Sequence, residues 1–148
     1  MLFAEAVAAT PQIRECYRNG LNALGGHRSK IILRETRHCE GSVNLDVCLA
    51  ASNRDENRWD YCFGYKGEAF FVEVHPAHTS DVRTVIDKLI WLKGWLRNHA
   101  PEIDRLQAKA APAFYWLQTN GFHIVGSRYQ RLADEAGIRP LARLELKH

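Results

Sequence analysis

Between residues 42 and 50 apolar and polar side chains strictly alternate, with Val43, Leu45, Val47 and Leu49 set against Ser42, Asn44, Asp46 and Cys48. A period of two places one set on each face of a pleated strand, so the pattern predicts a half-buried β-strand over 42–50. Upstream the period changes. Ile13, Cys16, Tyr17, Leu21 and Leu24 fall at helical spacing and Gly25-Gly26 follows, which predicts a first helix over 11–24. The apolar start, 1–9, reads as the opening turns of another helix, and the run Ile31-Ile32-Leu33 as a short strand within 30–37. No apolar residue occurs in 52–58 apart from the strand that follows, so that stretch is a solvated loop.

The next elements are more sharply drawn. Residues 58–65 and 69–75 are rich in aromatic and β-branched side chains and are joined by Lys66-Gly67-Glu68, which predicts an antiparallel hairpin. Pro76 ends the second strand because it has no N–H to give a ladder. Thr79 or Ser80 caps a helix running to about Asn98, with Asp81 in its first turn and a wide apolar face through Val82, Val85, Ile86, Leu89, Ile90, Leu92, Trp95 and Leu96. Strand material follows at 113–117 and 123–125 around the Asn120-Gly121 turn signal. A helix over 127–136 is stopped by Gly137, and a last alternating strand covers 141–146. The element order predicts an α/β fold, a mixed sheet flanked by helices.

At 148 residues, 46% of them hydrophobic, the chain has the size of one domain with a real core, and one domain over 1–148 is expected. A formal charge of +3 permits nucleic-acid binding without demanding it. Arg28, Lys30, Arg34, Arg37, Arg54 and Arg58 gather in the first half, where they could form a phosphate-facing rim or a solvated surface. Cys16, Cys39, Cys48 and Cys62 show no CxxC pairing, and no run of apolar residues is long enough to span a bilayer. These features predict a soluble, cytoplasmic protein with free thiols and no membrane partner. His38 and Cys39 adjoin, yet no ligand spacing matches a closed zinc site.

Chemistry concentrates in the hairpin. Asp60 opens one of its strands and Glu73 closes the other, and a short turn brings the two opposite one another. Alternation puts Glu73 and His75 on one face and Val72 and Val74 on the other. Converging carboxylates repel unless one is protonated or a cation bridges them, and a hard divalent ion takes such oxygen ligands. An ion held there activates water and steadies charge on a phosphate.

Asp60 followed by Glu73-Val74-His75, set on that hairpin and trailed by a helix, resembles the PD-(D/E)XK superfamily of restriction-endonuclease-like nucleases. The likeness spans roughly residues 11–117 and implies a core of helix, three-stranded meander, helix and further strand. It implies that Asp60, Glu73 and Val74 hold Mg²⁺ or Mn²⁺, and that DNA or RNA is the substrate. His75 stands where the superfamily usually has its catalytic lysine, a departure that leaves turnover open, since histidine is the weaker permanent cation near neutral pH. In some members that lysine migrates, and Lys88 on the following helix is the substitute. Glu15 resembles the extra acid some members carry, and Asp46 is a reserve for the first acid.

Plainer readings stand beside these. Asp60 could pair with Arg58 or Lys66 in solvent, Glu73 with an arginine, and Lys88 could lay its stem along apolar surface with its amine in water. Trp91 and Trp95, one turn apart, are core residues or a partner contact. The functional expectation is therefore a metal-dependent phosphodiesterase, with a catalytically inactive module binding nucleic acid or a protein as the alternative. A homodimer is the further expectation, because duplex cutting ordinarily takes two active sites.

Overall fold

A computed structural model describes residues 2–119, 121 and 127–148. Helix α1 (Phe3–Ala8) opens the chain and buries Phe3, Ala6 and Val7. The helix expected over 11–24 is absent, replaced by 3₁₀ turns at Arg14–Cys16 and Asn22–Lys30. Ile13 and Leu24 are buried as their spacing implies. However, Gly25 takes φ 54°, ψ −129° and kinks the second segment, and an isolated bridge to Ser42 holds Arg18 in the stretch between the two 3₁₀ turns. Burial held and helical geometry did not.

Strand β1 (Ile31–Leu33) follows, then a 3₁₀ turn at Thr36–His38, and then β2 (Cys39–Asn44). Here the alternation from 42 to 50 misleads. Asn44 ends the strand and caps α2 (Leu45–Cys48), its Oδ1 accepting the Val47 N–H at 3.0 Å, so Val47 is exposed rather than core. β3 (Tyr61–Tyr65) and β4 (Glu68–Val74) form the expected hairpin, with Tyr61 opposite Val72 and Tyr65 opposite Glu68. Its turn places Lys66 at φ 50° and Gly67 at φ 80°, the conformation whose twist matches that of the flanking strands. A side chain at Gly64 has no room, because Phe3 of α1 lies where its Cβ would be.

The long helix α3 (Thr79–His99) and short α4 (Pro101–Asp104) lead to β5 (Phe114–Leu117), which lies parallel to β4. Helix α5 (Arg128–Glu135) and β6 (Pro140–Leu141) repeat the crossover, and β7 (Leu144–Leu146) pairs in parallel with β1. The strand expected over 141–146 thus divides between two sheets, and the strand expected over 123–125 lies outside the described residues. The main sheet is five-stranded in the order β2-β3-β4-β5-β6, antiparallel at first and parallel after β4. The fold is mixed α/β.

Both faces of this sheet are covered. Phe71, Cys62, Val43 and Trp116 pack against α1, α3 and α5. Phe63, Phe70, Val72 and Tyr65 pack against the β1–β7 pair through Ile31, Leu33, Leu144 and Leu146. Trp95 is buried in the first of these cores, its ring stacked on partly buried Trp91 with centroids 6.0 Å apart, so it is not open to a partner.

Cys16 and Cys48 are joined by a disulfide, and Cys39 and Cys62 are the free thiols. The expectation of four free thiols is corrected, and the cytoplasmic reading loses that support. The packing of α2 against the 3₁₀ turn brings together two cysteines that no sequence spacing links. Among the described residues, no helix is long and apolar enough to cross a membrane.

Candidate active site

Glu73 is the side chain that the fold treats most unusually. It is wholly buried, on a strand whose neighbouring side chains are all apolar. Alternation along β4 sends Glu73 to the same face as Phe71, toward α3 rather than toward the β1–β7 pair. Lys88 lies on the inner side of α3, one turn from Val85 and one from Leu92, both buried. Its Nζ donates to Glu73 Oε2 at 2.6 Å. The lysine therefore does not end in water, and the partner of Glu73 is a lysine instead of an arginine.

Asp60 precedes β3 and stands across the ladder from Glu73, as the hairpin register requires. The Asp60 N–H donates to Glu73 Oε1 at 3.1 Å, and the Val74 N–H donates to Asp60 Oδ2 at 2.9 Å. Each carboxylate is thus fixed by the main chain of the other's strand. Neither solvent pairing foreseen for Asp60 forms, because Arg58 binds Asp46 at 3.1 Å and Lys66 binds Glu35 at 2.9 Å.

His75 completes the group. Its Nδ1 is 3.4 Å from Glu73 Oε2 and its Nε2 is 3.1 Å from Asp81 Oδ1, while Asp81 Oδ2 also accepts the His78 N–H at the start of α3. One acid therefore caps the helix and braces the imidazole. The peptide of Val74 belongs to the site through its N–H, and its side chain packs with the core on the opposite face.

Electrostatics follow from this geometry. Burial pushes the Asp60 carboxyl up to about 7, with the nearby Glu73 charge adding to the effect and Lys88 opposing it. The hydrogen bond to Glu73 raises the His75 pKa against the opposing effect of burial. Burial works to lower the Lys88 pKa, but the charge and hydrogen bond of Glu73, with Asp60 and Asp46 behind them, outweigh it and hold the ammonium form. The group is thus two acids, one of them part-protonated near neutrality, set against one fixed cation and one titrating imidazole.

The remaining sequence candidates fall elsewhere. Glu15 is 91% exposed beside Arg14 and does not join the site. Asp46, in the first turn of α2, makes its ion pair with Arg58, and its charge is felt at both Asp60 and Lys88. Much of the expected basic rim is engaged in structure. Arg58 binds the carbonyls of Asn53 and Arg54, Lys30 that of Gln118 and Arg34 that of Lys147. Sequence reasoning missed Asp81, although its place in the first turn of a helix beginning just after His75 was a usable signal.

Among the described residues, no cluster of three or more His, Cys, Asp or Glu side chains forms a ready-made metal cage. A hard ion at this hairpin would therefore rest on the two carboxylates, with peptide oxygen and water filling its shell, the sparse protein ligation usual for Mg²⁺. Asp60 Oδ1 fits such a role, since no protein donor among the described residues occupies it, whereas Oδ2 is taken by Val74. No family model, curated protein or solved structure matches the chain.

Proposed function

We propose that the chain is a metal-dependent phosphodiesterase acting on nucleic acid, with a restriction-endonuclease-like arrangement of its core. The observation that carries this reading is the convergence of Asp60 and Glu73 at the end of the central hairpin, with the Lys88 ammonium 2.6 Å from Glu73. A buried ion pair is a weak means of stabilising a core, since apolar residues of similar volume do as well or better. Its retention on the helix-facing side of β4, together with a carboxyl shifted to about 7, fits a site selected for chemistry. The antiparallel β2-β3-β4 meander, the α3 crossover and parallel β5 agree with the later part of the order that the resemblance implies, whereas its first helix, expected over 11–24, is absent.

In this reading Asp60, once ionised, would hold Mg²⁺ or Mn²⁺ together with Glu73 and the peptide carbonyl of Val74. Such an ion would supply Lewis acidity toward the phosphate and a lowered pKa for water. Lys88 takes the place of the lysine missing from the Glu73-Val74-His75 segment and keeps a permanent cation beside the reacting phosphate. His75, braced by Asp81, orients water or accepts its proton.

Calorimetric titration of Mn²⁺ and Mg²⁺ into wild type, Glu73→Ala and Asp60→Asn, followed by incubation with mixed DNA and RNA, tests the proposal. Metal binding lost in both variants and cleavage confined to wild type is the expected result. Asp60→Asn is close in shape to the protonated acid and keeps the fold, so its failure would not be one of folding. Absence of metal binding by folded wild type would sink the enzyme reading and leave a binding module. A homodimer, should duplex cleavage be found, is read from sedimentation of the same preparation.

A further inference from the structure

The edge of the sheet that carries Glu73 and Val74 holds a second polar feature. Helix α3 follows β4 and α5 follows β5, each crossover returning to a parallel neighbouring strand. The two helices pack against one another and on the same core, so both begin beyond the carboxyl ends of adjacent parallel strands.

Between the helix starts lies a cleft of about 490 Å³ lined by Thr79, Ser80, Arg83, Arg128, Tyr129 and Leu132. Among the described residues its polar lining is cationic and hydroxylic, with no carboxylate. Arg128 donates to the Tyr129 hydroxyl at 3.1 Å and lies over the ring, 5.0 Å from its centroid. Arg128 first, and Arg83 from the facing helix, lower the Tyr129 pKa, in keeping with the two arginines lining one cleft with this phenol. Asp81 is engaged with His75 and Asp134 with Arg139. Among the described residues neither Arg83 nor Arg128 is in an ion pair. Two arginines that line one cleft without an ion-paired acid, next to hydroxyl groups, suit the charge and hydrogen-bonding needs of a phosphate group.

We propose that this cleft binds a phosphodiester of the substrate strand, flanking the one that lies at Asp60 and Glu73. The inference rests on the nuclease reading and adds the path of the strand. From the hairpin end it passes His75 and the first turn of α3 and enters the cleft between Arg83 and Arg128. Asp81, which braces His75, follows Thr79 and Ser80 of the cleft wall in the first turn of α3. The contact is to backbone, so it sets affinity and register and not base preference.

Fluorescence anisotropy of short labelled single-stranded DNA, duplex DNA and RNA, measured with Ca²⁺ to prevent turnover, tests this on wild type, Asp60→Asn and the double variant Arg83→Gln/Arg128→Gln. The double variant is expected to bind about tenfold more weakly at moderate salt, whatever the sequence, with the slope of log affinity against log salt reduced by about 1. In cleavage assays it should raise KM more than it lowers kcat. Affinity and salt slope equal to wild type, while Asp60→Asn abolishes cleavage, would overturn the subsite and leave the nuclease reading intact. If no nucleic acid binds wild type, both readings fall together. Thermal stabilisation of wild type by inorganic phosphate alone, in the absence of oligonucleotide binding, would overturn the strand path and assign the cleft to a small phosphorylated ligand.

Discussion

Replacing Lys88 by methionine keeps the aliphatic stem along α3 and removes only the ammonium. Glu73 would then be left wholly buried with the Asp60 N–H and the His75 imidazole as its remaining partners. Breaking a buried pair from one side costs about 3–5 kcal/mol, because the surviving charge keeps its desolvation penalty. The Lys88 side chain is 19% exposed and His75 partly compensates, so we place the loss near the lower end, about 3 kcal/mol. For a chain of this size that lowers Tm by about 6–12 °C. The His75 contribution gives the effect a pH dependence. Its pKa is raised by Glu73, so imidazolium stands in for the lost ammonium under mildly acidic conditions and the loss should be smaller near pH 6 than near pH 8. Urea unfolding of wild type, Lys88→Met, Glu73→Met and the double variant at both pH values is the assay. The double variant should recover more than about 1 kcal/mol relative to the sum of the single losses. A loss below about 1 kcal/mol, alike at both pH values and without coupling, would show that the pair behaves as a surface ion pair, and the argument from burial would fail.

Other consequences are open to measurement. Asp60 titrates at about 7 in the folded protein against an ordinary 3.8, so the metal-free native state holds its proton more tightly than the unfolded chain does. The contribution of Asp60 to stability is therefore greatest below the ordinary value and falls as pH rises toward 7, by at most about 4 kcal/mol, and His75, also raised, acts in the same direction, while Glu35, lowered by Lys66, acts in the opposite one. Denaturation midpoints that fall across this window, and a fall absent in Asp60→Asn, are the expected result; midpoints that rise with pH would contradict the burial of Asp60. The Cys16–Cys48 bond closes a loop of sequence separation 32, which by chain entropy is worth about 3–4 kcal/mol. Thiol titration of unreduced, denatured protein should find Cys39 and Cys62 alone, and Cys48→Ser should lower the denaturation midpoint accordingly.

How far the sequence could be read depended on the range of the interactions. The β3–β4 hairpin was legible because a turn of fixed length dictates its register, and that register alone sets Asp60 against Glu73. The apolar face of α3 was legible for the same local reason. Lys88 was only a candidate, since its contact with Glu73 depends on which face of β4 meets α3, and both faces are buried. The reading of 42–50 as one strand failed at Asn44, where a side-chain cap outcompetes the alternation around it. The helix expected over 11–24 failed because tertiary burial of Ile13 and Leu24 does not require helical backbone between them. The disulfide and the Arg83–Arg128 cleft join distant elements, and no local pattern marks them.

The β1–β7 ladder joins Ile31 to Leu144 and Leu33 to Leu146, contacts that span most of the chain. Contacts so far apart in sequence form late, since the entropy of closing the intervening loop must be met before they contribute. During synthesis the meander and its aromatic face, with Phe63 and Phe70, emerge well before residues 144–146 exist to cover them. The nascent protein thus passes through an interval in which one face of its central sheet is exposed. Its solubility in that interval depends on how quickly the last strand arrives.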